Sequence, residues 1–122
     1  MFAETAAEKT RAYPKLASKI ADFYKLKFQS PLQQFGSSDK PFKNEGNFTS
    51  HVPGLRHAHL THDIMIVYTI SGRDPTLFKL YGIFSHDELG IGQPANIKIQ
   101  KNMARRMSNQ NFYENLRNRA VN

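Results

Sequence analysis

The stretch from Ile64 to Phe84 restricts the fold more than any other part of the chain. Residues 64–70, IMIVYTI, are β-branched, apolar or aromatic at nearly every position, as expected of a central strand buried on both faces. SGRDP, from Ser71 to Pro75, is a strong turn, and TLFKLYGIF, from Thr76 to Phe84, returns as another long strand. Upstream, Arg56–Leu60 alternates along the chain and reads as a strand separated from Ile64 by a very short turn. Consecutive strands with connections this short predict an antiparallel meander of three to four strands.

Helices flank that meander. Residues 14–28 place Leu16, Ile20 and Phe23 on one helical stripe beside Ala17, Ala21, Tyr24 and Phe28, with Lys15, Lys19, Asp22 and Lys25 outside. Pro14 suits a first helical position, Pro31 ends the helix near Gln29, and residues 4–12 read as an earlier helix. A short turn over Leu32–Phe35 and a polar, turn-rich stretch from Gly36 to Pro53 lead into the strands. Ser85 and Glu88 have capping-box spacing, and Gly90, Gly92 and Pro94 break the chain before a last helix near Asn96. In that helix Ile99, Met103 and Met107 form a core stripe. The order predicts an α+β fold of N-terminal helices, antiparallel sheet and C-terminal helix, in one domain over 1–122. A basic helical extension occupies about 95–122, where Lys98 to Arg119 carries six basic residues and one acidic one.

Charge and cysteine narrow the function classes. Seventeen Lys and Arg against ten Asp and Glu give a net charge of +7, which favours capture of polyanions: nucleic acid, an acidic protein, or both. Cysteine is absent, so no disulfide framework is available and a cytoplasmic setting is expected. No run approaches the ~20 apolar residues of a membrane-spanning helix, so no membrane partner is expected.

Four of the five histidines lie between His51 and His62, and the fifth is His86. On a strand His57 and His59 share a face while Ala58 points the other way. Asp63 begins the next strand and His86 follows the third, so His59, Asp63 and His86 are expected at one edge of the meander. Two imidazoles and a carboxylate amid Lys and Arg suit RNA cleavage. One group takes the 2′-hydroxyl proton, another protonates the leaving 5′-oxygen, and cations stabilise the phosphorus oxygens. His57 and His59 with Asp63 are also a possible metal-ligand set, whereas His51 and His62 read as surface residues. Arg105 and Arg106 read either as a solvated face or as a grip on phosphate.

GLRHAHLTHDIMIVYTI and LFKLYGIFSHDEL, within Gly54 to Leu89, resemble the YafQ-like branch of the RelE/ParE toxins. The resemblance rests on the ordered set Gly54, Leu55, Arg56, His59, Asp63, Tyr68, His86 and Leu89. The preceding helix and the loop FGSSDKPF fit that family's layout more loosely. The resemblance implies a compact RelE-like toxin of a toxin–antitoxin pair that cuts mRNA on the ribosome without metal or other cofactor. It also implies a cognate antitoxin, usually acidic or carrying an acidic segment, that covers the active face. Carried over residue by residue, it makes His59 and His86 the acid–base pair, Asp63 their orienting carboxylate and Arg56 a support for site or phosphate. Ile64 stands where the family commonly has an aromatic residue, and Gly82 where it commonly has an arginine. Lys79 or Arg105 is the expected substitute cation, and Tyr81 or Phe84 the expected stacking ring. Two alternatives stay open: a non-catalytic relative that binds RNA or a protein such as a topoisomerase, and a small metal-binding protein.

Overall fold

The computed structural model describes residues 1–42, 46–71 and 77–109. Helices α1 (Phe2–Ala12) and α2 (Leu16–Gln29) come first, then β1 (Lys40–Pro41), α3 (Gly46–Thr49), β2 (Arg56–His59), β3 (Ile64–Ser71) and β4 (Leu77–Ser85). A single turn, α4 (His86–Leu89), and helix α5 (Ile97–Ser108) follow. The fold is α+β, with a four-stranded antiparallel sheet in the order β1-β2-β3-β4.

The side-chain period of two explains how this sheet builds two cores. Ala58, Ile64, Ile66, Tyr68 and Leu80 face one way and pack with Leu16, Ile20 and Phe23 of α2. Met65, Val67, Tyr81 and Phe84 face the other way and pack with Phe48 of α3, Leu89 of α4 and Met103, Ala104 and Met107 of α5. β3 serves both cores, and Ile64 to Thr69 are all buried. The absence of charged residues from IMIVYTI follows from that position.

β4 is an edge strand, and α1 covers part of it: the Thr5 hydroxyl accepts the Ile83 N–H at 3.0 Å. The expected capping box closes α4, with Ser85 Oγ accepting the Glu88 N–H and Glu88 Oε1 accepting the Ser85 N–H at 2.9 Å. Glu88 also holds Lys9 Nζ at 2.7 Å, tying α1 to the start of α4.

Two expectations need correction. The stretch Gly36–Pro53 is not simply a polar loop: it contains β1 and α3 and buries Phe42, Phe48 and Val52 beneath the sheet. The buried stripe of α5 is Gln100, Met103, Ala104 and Met107, while Ile99 is exposed. Gln100 gains its place by donating to Gly90 O at 2.8 Å and accepting from Asn47 at 3.0 Å. Lys27, on the inner face of α2, is 2 % exposed because its ammonium meets the fully buried Asp39 at 2.5 Å. The turn 71–75 falls largely, and the basic extension beyond Asn109 wholly, outside the described residues.

Asp39 collects the bonds that hold the segment before β1. Its carboxylate accepts from Lys27, from the Phe35 N–H at 2.8 Å and from the Tyr68 hydroxyl. Burial pushes its pKa up, but the bonds from Lys27, Tyr68 and Phe35 outweigh burial and leave it below the usual carboxylate value. Removing one partner from so enclosed an ion pair typically costs ~3–5 kcal/mol. The cluster thereby fixes Ser38 and Lys40 against β2.

Candidate functional site

The ladder brings three of the sequence-predicted residues together. Ile64 pairs with Ser85 in antiparallel register, so Asp63, one residue earlier, meets His86, one residue later. His59 pairs with Met65, which pairs with Phe84. By the alternation of side chains, His59, Asp63 and His86 therefore all project on the α5 side of the sheet.

Asp63 Oδ1 lies 2.7 Å from His86 Nδ1 and also accepts the His86 backbone N–H at 3.2 Å. Those two bonds, the side-chain bond first, lower the pKa of Asp63, and it is a carboxylate at neutral pH. A carboxylate only accepts, which assigns the Nδ1 proton to His86. His86 Nε2 then faces His59 Nε2 at 3.3 Å. In the uncharged pair His59 donates from Nε2, leaving its Nδ1 as a lone pair. That Nδ1 is buried and has no hydrogen-bond partner among the described residues.

The charges around the two histidines of β2 are mainly positive. Burial lowers the pKa of His59, helped by the positive fields of His86, His62 and Lys40, with Asp63 opposing. Burial, His59 and Lys40 push His57 down to about 4. His57 lies edge-on to Phe42, ring centroids 4.7 Å apart, and contacts the His59 ring at 5.7 Å. It is a neutral wall of the site at pH 7. His59 is held further by its backbone N–H, which donates to Ser38 Oγ at 3.1 Å. The line Asp63–His86–His59 can carry a proton from ring to ring, with negative charge at one end and a base that resists protonation at the other.

The remaining sequence candidates lie elsewhere. Arg56 pairs with Tyr68 across the ladder and projects on the opposite face. Its guanidinium donates to Tyr68 Oη and Asp39 O, each at 3.2 Å. Of the two expected places, holding the site or the phosphate, Arg56 therefore takes neither beside the histidines: it braces the Asp39 cluster on the opposite face. Lys79 pairs with Thr69, six residues along β4 from Ser85, or roughly 20 Å from the histidines. Tyr81 is 5 % exposed within the α5-side core, so its ring cannot stack on a base, and Phe84 is buried there too. Arg105 is exposed on α5, its guanidinium 3.5 Å from Asn102.

Gly82 has a steric reason for replacing the arginine of the resemblance. A Cβ there would meet the Phe84 ring at 2.4 Å and Thr5 Oγ1 at 3.2 Å. Lys40 is the cation that sequence reading missed. It pairs with His57 across β1 and β2, so its exposed side chain shares the histidine face. A lone lysine in a turn-rich stretch carries no periodic signal by which it could have been found.

Among the described residues no group of three or more His, Cys, Asp or Glu side chains is arranged to hold a metal ion, and no helix is long and apolar enough to cross a membrane. Compared with known proteins, the chain matches no family model, no curated protein and no solved structure.

Proposed function

We propose that the chain is a ribonuclease that cuts mRNA on the ribosome, the toxin of a toxin–antitoxin pair, and that Asp63, His86 and His59 do the chemistry. The observation that carries this reading is the line of short contacts, 2.7 Å from Asp63 to His86 and 3.3 Å from His86 to His59. Substrate binding exchanges the bond between the imidazoles for one from each ring to a reacting oxygen. With His86 protonated, His59 carries its own proton on Nδ1 and its lone pair on Nε2, and Nε2 accepts the 2′-hydroxyl proton as the 2′-oxygen attacks phosphorus. His86, paired as an imidazolium with Asp63, gives a proton to the departing 5′-oxygen. The products are a 2′,3′-cyclic phosphate and a 5′-hydroxyl end, and no water is consumed in this step. Lys40 supplies positive charge to the phosphorus oxygens.

The net charge of +7 supports a polyanionic substrate, and the ordered motif from Gly54 to Leu89 supports the RelE/ParE reading. A binding-only relative is the second reading. It is favoured by Arg56, whose guanidinium is committed to Tyr68 and Asp39 and not to the histidine face.

Primer extension on mRNA from cells briefly induced for the protein, beside the His86→Ala variant, separates the two. Discrete new 5′ ends within coding sequence, lost in the variant, are expected. Growth arrest without new ends would instead support the binding-only reading.

A further inference from the structure

A cavity of about 620 Å³ opens on the α2 side of the sheet, between the α1–α2 junction and the β2–β3 turn. Its size is within the ~300–1,000 Å³ range of small-molecule sites. Leu16 and Ile64 line it from the core, and Tyr13 and Pro14 add further apolar surface. Tyr13 is 56 % exposed, so its ring is offered to solvent and not spent on packing. Lys15 and Lys19 border the same space on the helix side. Asp63 lines it too, and its carboxylate holds His86.

We infer that this cavity is a nucleobase subsite, taking the base of the nucleotide next to the phosphate held at His59 and His86. This rests on the ribonuclease reading for its direction along the strand. The chemistry of the space matches a nucleotide in three respects. Its apolar walls and exposed tyrosine ring suit a flat π-face. Its two lysines suit a flanking phosphate. Asp63, at the end of the sheet, borders the cavity and holds His86, so a ribose beside it would join the two. An aromatic stacking partner is worth ~1–3 kcal/mol per base and tolerates any base. The cavity thus supplies the stacking surface that Ile64, Tyr81 and Phe84 do not.

The test is a titration of the full chain with nucleoside 3′-monophosphates and with ribose 5-phosphate, followed by amide NMR, for the parent and for Tyr13→Ala. Nucleotides are expected to shift amides of 12–19 and 61–64, ribose phosphate to bind at least 5-fold more weakly, and Tyr13→Ala to lose about 10-fold in nucleotide affinity. Equal affinity for ribose phosphate, shifts elsewhere or none, or an unchanged Kd in Tyr13→Ala would each overturn the subsite. So would an acidic amphipathic peptide shifting these amides where nucleotides do not. The outcome is separable from that of the ribonuclease reading. Nucleotide binding in the cavity with no mRNA cuts would leave the subsite standing without the catalysis, and mRNA cuts with no such binding would do the reverse.

Discussion

Nε2 of His59 and Nε2 of His86 face each other at 3.3 Å, so in the uncharged pair the two imidazoles share one hydrogen. Because Asp63 occupies the far nitrogen of His86, the two rings are not equivalent. One has a carboxylate behind it; the other has a buried lone pair and the field of Lys40. The same residue type is thereby given two environments, the arrangement by which paired titratable groups divide the roles of acid and base.

In the proposed reaction Asp63 acts through His86 and is a positioning residue. Asp63→Asn keeps the shape, but the amide can present its NH2 to Nδ1 and favour the other tautomer of His86. Cleavage is expected to fall about 10²-fold, towards the loss from His86→Gln, which removes an acid–base group worth ~10²–10⁴-fold. Asp63 is 58 % exposed, so stability should change by less than about 0.5 kcal/mol. Nitrogen NMR of the His86 ring distinguishes this role from a structural one: an unchanged tautomer in Asp63→Asn would refute it.

The pH dependence follows from the lowered pKa of His59. As the proposed general base it must be neutral, so the acidic limb of the rate profile is expected below pH 6.5, the ordinary imidazole value. Lys40→Met removes one of the positive fields that lower His59, so that limb should move upward, towards 6.5. The same change should slow cleavage about 10-fold by removing the cation from the phosphate. Rate profiles of parent and variant measured from pH 4.5 to 8 check both. A limb that stays in place while the rate falls would leave Lys40 as a phosphate contact only.

Local periodicity made much of this architecture readable, and contacts distant in sequence made the rest unreadable. IMIVYTI announces a strand buried on both faces because hydropathy registers each side chain separately. The spacing His57–Ala58–His59 fixes which face each side chain takes, and Ser85–Glu88 is a local bond. Nothing in the sequence marks Lys27 as buried, because its partner Asp39 lies twelve residues away across an irregular turn. Phe48, Val52 and Leu55 do have helical spacing, but the surrounding Gly, Asn, Ser and Pro hid it. Arg56 is the instructive case. Residues 56 and 59 differ by an odd number on a strand, so they cannot share a face, and that parity was available from the sequence alone.

Arg56 and Asp39 should therefore affect folding more than chemistry. Asp39→Ala leaves the Lys27 ammonium buried without its counter-ion and is expected to cost ~3–5 kcal/mol. Arg56→Met loses partly exposed hydrogen bonds and should cost about 1–2 kcal/mol. Urea unfolding gives these values. Cleavage per folded molecule should remain within about 3-fold of the parent in Arg56→Met, and a loss of 10²-fold without loss of stability would return Arg56 to the catalytic face.

His57 links pH to stability without taking part in proton transfer. Its folded pKa is about 4, against 6.5 for an unperturbed imidazole, chiefly because the ring is buried beside Phe42. Above pH 6.5 both folded and unfolded chains carry it neutral, and its contribution is complete. As pH falls from 6.5 to about 4, the unfolded chain takes up a proton that the folded chain refuses, so stability is lost across that window. After allowance for partial solvent screening, the loss is on the order of 1–2 kcal/mol. His59, lowered in the same direction, adds to it. His57→Gln removes the larger share, so the drop in urea midpoint between pH 7 and pH 4.5 should be at most about half that of the parent. An equal drop in both proteins would show that burial of His57 is not what the acid reverses.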